Sequence, residues 1–480
     1  MFLKRFYDDG LAQASYMIGC AVTGEALVID ANRDVAPYLA AAAAEKLRIT
    51  HVTETHIHAD YVSGSRELAR ATGAQLYLSA EGGKDWQYAF AKEDGATLLR
   101  DGDVIKVGNI RIEAMHTPGH TPEHLSFLVT DTAGADAPMG IASGDFVFVG
   151  DVGRPDLLER AAKVAGTMEA GARQLFHSLE RFRALPDFVQ VWPGHGAGSA
   201  CGKSLGAVPT STVGYEKRFN WGVGTTKEQD FVTMVLEGQP DPPRYFAEMK
   251  RINREGPRVL GGFPTPARAG RSGLQHAIDA GVTVIDTRTA DRFAEAHVPA
   301  SINIPLNKSF SGWAGWLVRY DVDIHLVAED EATMRRAVRE LAMIGLDRVT
   351  GWSDARVVSE WGAAGLPLGT VGEADVSSLA PRLARGEVTV LDVRNASEWS
   401  AGHLPGAMHI PLGRLEERLA EIPRDKPLVV QCQTGGRSAI AASVLQRHGV
   451  ANASNLRGGI VAWQEGGFDV VRSTDAVAVG

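Results

Sequence analysis

Apolar and polar positions alternate with a period of two in several short runs of the N-terminal part. ALVID and IRIEAMH read as strands, SYMIGCAV as a buried strand, and RITHVTET as a strand that runs into THIHADYVSG, residues 55–64. Between such runs VAPYLAAAAAEKL reads as a helix, so strands and helices interleave. In the second half, TVIDTRTADRFAEAHVPASINIPL from Thr283 realigns without gaps on TVLDVRNASEWSAGHLPGAMHIPL from Thr389, so one module occurs twice. Each copy opens on a short apolar run, continues into a charged helix-like stretch and returns to a strand, which predicts a small parallel α/β sheet. The polar, proline-bearing stretch QPDPPRYFAEMKRINREGP reads as the connector between the N-terminal part and the repeats. The expected organisation is a domain over 1–240, a linker over 241–265, and repeat domains over 266–368 and 369–480.

A length of 480 residues fits this organisation, at about three domains for an ordinary domain size. The formal charge of −9 comes without any cluster of Lys and Arg, so neither nucleic acid nor an anionic membrane is an expected partner. The N-terminus is broken at once by charges and has no signal-peptide pattern, and no apolar run is long enough to span a bilayer. Cys20, Cys201 and Cys432 are far apart, which fits a reducing cytoplasm, and each matters only as a thiol. Cytoplasmic localisation is the expectation.

The chemistry-bearing segments follow the strand-like runs. His56, His58 and Asp60 stand at i, i+2 and i+4, on one side of an extended segment, which is how a chain presents ligands to a metal. HTPGHTPEH around His120, ASGDFVFVGDVGRPD around Asp145 and WPGHG around His195 complete an ordered set. Together these resemble the HxHxDH pattern and later segments of the metallo-β-lactamase superfamily, which implies an αβ/βα sandwich. The pattern's final His is here Tyr61. An imidazole is lost to a phenol whose ordinary pKa is near ~10, a poor ligand at neutral pH, so a site for one ion is expected.

Within that superfamily the details resemble the persulfide dioxygenases. That resemblance implies one Fe(II) per N-terminal domain held by His56, His120 and Asp145, a facial triad with open positions. His58, Asp60, Tyr61 and His195 are then expected around the ligands, with His58 a direct ligand if the geometry is that of a zinc hydrolase. His116 and His124 are expected to be structural. Lys217 and Arg218, in STVGYEKRFN, are expected anion anchors for a thiol cofactor. Cys201 lies a few positions after His195 in a small-residue loop, near the mouth of the site, either as a persulfide-carrying or gating thiol or as an inert one. Cys20 is expected to be merely buried.

In the second repeat LVVQCQTGGRSAIAASVLQ takes a strand into Cys432, a glycine-bearing loop and a helix, and resembles the active loop of the rhodanese sulfurtransferases. Backbone N–H groups at a helix N-terminus stabilise an anion, so a lowered thiol pKa and an anionic persulfide are expected at Cys432. Arg437 would add positive charge or clamp an anionic acceptor, and Ser438 would donate a hydrogen bond. In the first repeat Asp286, Arg288 and His297 match Asp392, Arg394 and His403, but Ala328 takes the cysteine position, which excludes covalent sulfur transfer there and leaves a scaffold.

The whole chain therefore resembles persulfide dioxygenase–rhodanese fusion proteins. The resemblance implies oxidation of low-molecular-weight thiol persulfides by O2 to sulfite, transfer of sulfane sulfur through Cys432 to sulfite to give thiosulfate, and a homo-oligomeric assembly. Two alternatives stay open: a zinc thioester hydrolase of the glyoxalase II type with appended rhodaneses, and a persulfide-sensing or relay protein.

Overall fold

The structure, a computed structural model, describes residues 1–157, 159, 166–199, 201–203, 205–239 and 241–472. Its residues divide into two compact units, Met1–Pro264 with Arg339–Leu346, and Thr265–Val338 with Asp347–Gly480. Among the described residues no helix is long and apolar enough to cross a membrane.

The first unit contains two six-stranded sheets. In one, Phe2–Asp8, Gln13–Cys20 and Glu25–Ile29 pair antiparallel in turn, and from Glu25–Ile29 the strands Arg48–Thr53, Gln75–Ser79 and Thr97–Leu99 continue in parallel. The other runs from Ser211–Thr212 through Gln190–Pro193, Gly140–Gly144, Leu125–Asp131 and Ile110–His116 to Val104–Val107. Alternation decides how they face: Tyr16, Ile18, Leu27 and Ile29 of one meet Ile112, Phe127, Val129 and Trp192 of the other in one dry core. The opposite faces are covered by helices. Ala36–Ala44 supplies Tyr38, Ala41 and Ala42 to one outer core, and Thr167–Arg183 supplies Leu175, Phe176, Leu179 and Phe182 to the other. This is the αβ/βα sandwich expected from the sequence, with the chemistry-bearing loops at strand ends.

The stretch read as a connector is not a bare linker. Tyr245–Glu255 is a helix whose Tyr245, Phe246, Met249 and Asn253 are buried in the first unit. The apolar residues hidden among YFAEMKRIN fall at helical spacing, a pattern that the surrounding prolines and charges obscured. Asn253 clamps the loop that follows His56: its amide nitrogen donates to the carbonyls of His58 and Tyr61, both at 2.7 Å, and its oxygen accepts from Ser63 N–H at 2.9 Å. The segment Arg339–Leu346 belongs to the same unit, with Arg339 paired to Asp8 and Asp34 and the Met343 carbonyl accepting from Val62 N–H.

The second unit carries two five-stranded sheets of one design. The strand orders are Ala267–Arg268, Val349–Asp354, Ile324–Ala328, Thr283–Asp286, Ser301–Asn303 and Gly372–Ala374, Ala453–Leu456, Leu428–Gln431, Thr389–Asp392, Met408–His409, all neighbours parallel. The repeat seen in the sequence is thus a repeat of topology. In each copy the Asp at the end of the second strand grips the Arg two residues on, Arg288 to Asp286 and Arg394 to Asp392, both at 2.7 Å. The same guanidinium donates onward to the carbonyls of Ala296 and Gly402, respectively. The shared Asp-x-Arg motif is therefore a buried staple between strand and following helix.

Replacing Asn253 with Ala leaves two buried carbonyls and one N–H without partners, and a loss of about 2–4 kcal/mol is expected. The measurement is the urea midpoint of the first unit's unfolding in the full chain; an unchanged midpoint would mean that the helix does not clamp the loop.

Candidate functional site

His56, His120 and Asp145 stand in three loops, after Arg48–Thr53, Ile110–His116 and Gly140–Gly144. The fold brings one ligand-type atom from each within 4.8 Å of the others. His56 Nε2 lies 3.9 Å and His120 Nε2 3.5 Å from Asp145 Oδ2, and all three side chains are buried. Gly144 makes this turn possible, with φ of +50°, and a Cβ there would lie 2.6 Å from Thr55 Oγ1 and 2.7 Å from His124 Nε2.

The tautomers follow from the partners. His120 Nδ1 lies 3.1 Å from the Arg154 carbonyl, which only accepts, so Nδ1 carries the proton and the Nε2 lone pair faces Asp145. Thr55 Oγ1 spends its proton on Asp30 Oδ2 at 2.9 Å, so at 2.9 Å it accepts from His56 Nδ1–H, which again frees Nε2. Burial lowers both imidazoles from their ordinary pKa, and for His56 the neighbouring rings of His58 and His120 lower it further. Burial alone would raise the Asp145 carboxyl, but the imidazoles of His195 and His120 outweigh it and hold it below its usual range. Neither Asp145 oxygen accepts a hydrogen bond among the described residues. Two lone pairs and a buried carboxylate converging on one space repel one another unless a cation lies between them. This donor set fits a metal ion.

The remaining residues arrange themselves around that group. His58 Nε2 is 3.1 Å from Asp30 Oδ1, and although burial lowers this imidazole, Asp30 outweighs it and pushes the pKa up to about 9. His58 lies outside the converging group, with its Nδ1 buried and unpartnered among the described residues. The Tyr61 hydroxyl turns away to donate to the Asp30 carbonyl at 3.3 Å, and burial raises its pKa well above the ordinary value. Asp60, His195 and Cys201 form a second buried group with ligand-type atoms within 4.8 Å. His195 Nε2 is 3.2 Å from Asp60 Oδ2 and 3.4 Å from Asp145 Oδ1, and its Nδ1–H donates to the Ala12 carbonyl. Burial raises the Asp60 carboxyl and, with the Asp60 and Asp145 carboxylates, pushes the Cys201 thiol well up. Cys201 is thus beside the site, but as a protonated thiol.

His124 Nε2 accepts from Asp145 N–H at 3.1 Å and His116 Nε2 donates to the Pro122 carbonyl, so both hold loops. Lys217 is engaged by Asp187 and the Leu185 carbonyl, both at 2.7 Å, and Arg218 lies over the Phe219 ring. Cys20 is buried, its Sγ accepting from Asn109 N–H. Asp30, Thr55, Arg154 and Asn253 were missed in the sequence. Asp30 alone left a trace, as the carboxylate that closes the run ALVID at a strand end; the others act through atoms that carry no motif.

In the second unit Cys432 follows the strand Leu428–Gln431 and precedes the helix Gly436–Arg447. Its Sγ accepts from Gly435 N–H at 3.2 Å and from the Ser438 hydroxyl at 3.4 Å. Below the loop, Ile460 N–H and Val461 N–H donate to the carbonyls of Cys432 and Gln433. Arg437 is not free: its guanidinium grips Glu398 through two bonds at 2.6 and 2.7 Å. In the first repeat Ala328 ends the strand Ile324–Ala328, and the following Glu329 pairs with Arg292 at 2.8 Å.

The sequence profile of the metallo-beta-lactamase superfamily matches residues 8–195, and that of the rhodanese-like domain matches residues 375–466. A solved metallo-beta-lactamase from Staphylococcus aureus is 46% identical, with 73% of this chain and 98% of that chain covered at a TM-score of 0.68. A sulfurtransferase from Allochromatium vinosum is 39% identical over 21% of this chain and 95% of its own length. The human mitochondrial persulfide dioxygenase ETHE1 is 28% identical over 41% of this chain and 68% of its own length. A hydroxyacylglutathione hydrolase from Rhodopseudomonas palustris is 27% identical over 50% and 80% of the respective lengths. Sandwich, strand-end metal group and cysteine loop agree with both profiles: the chain belongs to the metallo-β-lactamase superfamily and carries a C-terminal rhodanese-like domain.

Proposed function

We propose that this chain oxidises low-molecular-weight thiol persulfides with O2 at a single non-haem iron and passes persulfide sulfur through Cys432 to sulfite. His56, His120 and Asp145 are the residues that would hold the iron. The reading rests above all on the converging group of two imidazoles whose pKa burial lowers and one buried carboxylate that accepts no hydrogen bond among the described residues. Bound Fe(II) would supply the unpaired-electron chemistry that O2 needs to react with a sulfur lone pair. Overall, one persulfide RSSH, one O2 and one water give one thiol, one sulfite and two protons.

The chain's own residues orient and isolate this chemistry. The relay from His56 through Thr55 to Asp30, and the bond from His120 to the Arg154 carbonyl, fix each ring with Nε2 inward. The pair of His195 and Asp60 lies against Asp145, within reach to hold or deliver a proton at His195 Nε2. At Cys432 the Gly435 N–H and Ser438 hydroxyl point at Sγ and would stabilise a thiolate or persulfide anion. The Cys432 persulfide then yields its outer sulfur to sulfite: the new S–S bond of thiosulfate forms, the Sγ–S bond breaks, and the thiolate returns. The reverse sense, with Cys432 feeding persulfide to the iron, uses the same residues.

A thioester hydrolase with two ions is favoured by one observation, the second group of Asp60, His195 and Cys201. Against it stands the Tyr61 hydroxyl, turned to a backbone carbonyl. The domain boundaries proposed for this function remain 1–240, 266–368 and 369–480, with the Tyr245–Glu255 helix added to the oxygenase domain.

Replacing His120 with Ala is expected to cut bound iron and O2 uptake with glutathione persulfide by about a hundredfold or more, read by metal analysis and an oxygen electrode. Uptake that survives loss of the metal would refute the assignment. Replacing Cys432 with Ser should abolish thiosulfate while O2-dependent sulfite release continues, separated by ion chromatography; thiosulfate formed at the wild-type rate would overturn the division of labour.

A further inference from the structure

Each repeat ties the helix after its second strand to the segment after its fourth by one ion pair, and the polarity of that pair is opposite in the two copies. In the first repeat Arg292, on the helix Ala290–Glu295, donates to both oxygens of Glu329, each at 2.8 Å. In the second repeat the aligned helix position is Glu398, on Ala396–Ala401, and it receives Arg437, in the first turn of Gly436–Arg447, through bonds at 2.6 and 2.7 Å. The fold therefore accepts either polarity as a tie. The copy that puts the cation beside the loop is the one that carries a thiol, and the copy that puts an anion there has Ala328 in the cysteine position.

The pair in the second repeat fixes a charge as well as a helix. Glu398 is itself held, because its Oε2 also accepts from Asn395 N–H at 3.1 Å. Two of the five guanidinium N–H groups are spent on Glu398, and three remain. Gly435 N–H and the Ser438 hydroxyl, on either side of Arg437 in the chain, reach Cys432 Sγ at 3.2 and 3.4 Å, so Arg437 belongs to the turn that wraps the sulfur. Burial would lower the Arg437 pKa, but the Glu398 carboxylate and after it the Cys432 sulfur outweigh burial and hold the guanidinium charged. An arginine gripped on both outer nitrogens is a poor clamp for a free anion, since a bidentate acceptor needs the same two nitrogens. What the grip leaves is a fixed positive charge beside the sulfur.

We propose that Glu398 is a positioning residue for sulfur transfer: it aims Arg437 at Cys432 Sγ, so that the guanidinium serves the sulfur and not the incoming sulfite. This rests on the reading that Cys432 exchanges sulfane sulfur. In discharge a sulfite lone pair attacks the outer sulfur of the Cys432 persulfide anion, the S–S bond of thiosulfate forms, and the electron pair of the breaking Sγ–S bond stays on Sγ. No proton moves and the total charge is unchanged. Negative charge shifts onto Sγ in that step, where an aimed cation lowers the barrier. The charge therefore acts on the rate of the step and not on the affinity for sulfite.

The test uses the full chain, with Cys432 loaded by glutathione persulfide, freed of excess donor and mixed with sulfite at rising concentration; thiosulfate is read by ion chromatography over a single turnover. Glu398→Gln keeps an oxygen for Asn395 N–H and breaks the two-bond grip. Its saturating rate should fall about tenfold, the size of one charge-assisted hydrogen bond, with the half-saturating sulfite concentration unchanged. Arg437→Ala should lose at least as much, and the two substitutions together no more than Arg437→Ala alone, since Glu398 acts only through the guanidinium. A higher half-saturating sulfite at an unaltered saturating rate would assign Arg437 to the acceptor and overturn the proposal, as would an unchanged rate in Glu398→Gln or losses that multiply in the double variant. The exchanged pair, Glu398→Arg with Arg437→Glu, repeats the polarity of the first repeat and separates a tie from an aimed charge. Its urea midpoint should stay near that of the unaltered chain while discharge is slow; discharge at the unaltered rate would reduce Glu398 to a tie. Failure of the unaltered chain to load or to discharge would instead overturn the sulfur-transfer reading on which this one rests.

Discussion

Asp145 is fully buried, and among the described residues neither of its oxygens accepts a hydrogen bond, yet three imidazoles point nitrogens at it from within 4 Å. A carboxylate in that state is tolerated only with positive charge close by. The His195 imidazole, whose pKa the carboxylates raise against the effect of burial, lies beside it, and an ion seated between Asp145, His56 and His120 would supply that charge. The loops of the first unit serve this one requirement. Gly144 bends the backbone so that Asp145 enters the site, Asp30 takes up Thr55 and His58, and Asn253 ties down the turn that carries Asp60 and Tyr61.

The same Asp30 also fixes His58 and Tyr61. It engages His58 through one oxygen, and its own carbonyl accepts the Tyr61 hydroxyl. A phenol at that place is thereby a hydrogen-bond donor to the backbone. The change from imidazole to phenol thus leaves no unmatched polar group at position 61.

In the second unit one design was used twice with opposite outcomes. The Asp-Arg staple is kept in both copies because it is structural, joining strand to helix at a buried point where losing either partner strands a charge. The loop after the fourth strand in chain order is where the copies differ. In one copy it presents one N–H group and a hydroxyl to a sulfur; in the other it presents Glu329, which pairs with an arginine. The contrast also separates what holds a fold from what does chemistry: fold contacts persist in the copy whose cysteine position is Ala328.

Much of this was legible without coordinates. The sandwich, the repeated module, the four ordered ligand segments and the cysteine loop are all local patterns, because strand periodicity and a tight loop before a helix are set by neighbours in sequence. What the chain could not disclose are the partners that meet only after folding. Arg437 gave no sign that Glu398 would occupy it, Lys217 none that Asp187 would, and the helix Tyr245–Glu255 was hidden in a polar, proline-flanked stretch. The sequence by itself determined the modules and the donor types, since these depend on residue identity and spacing along one strand or turn. Tertiary structure alone decided which donors converge on one point and which cations are already paired, since each depends on distances between segments far apart in the chain.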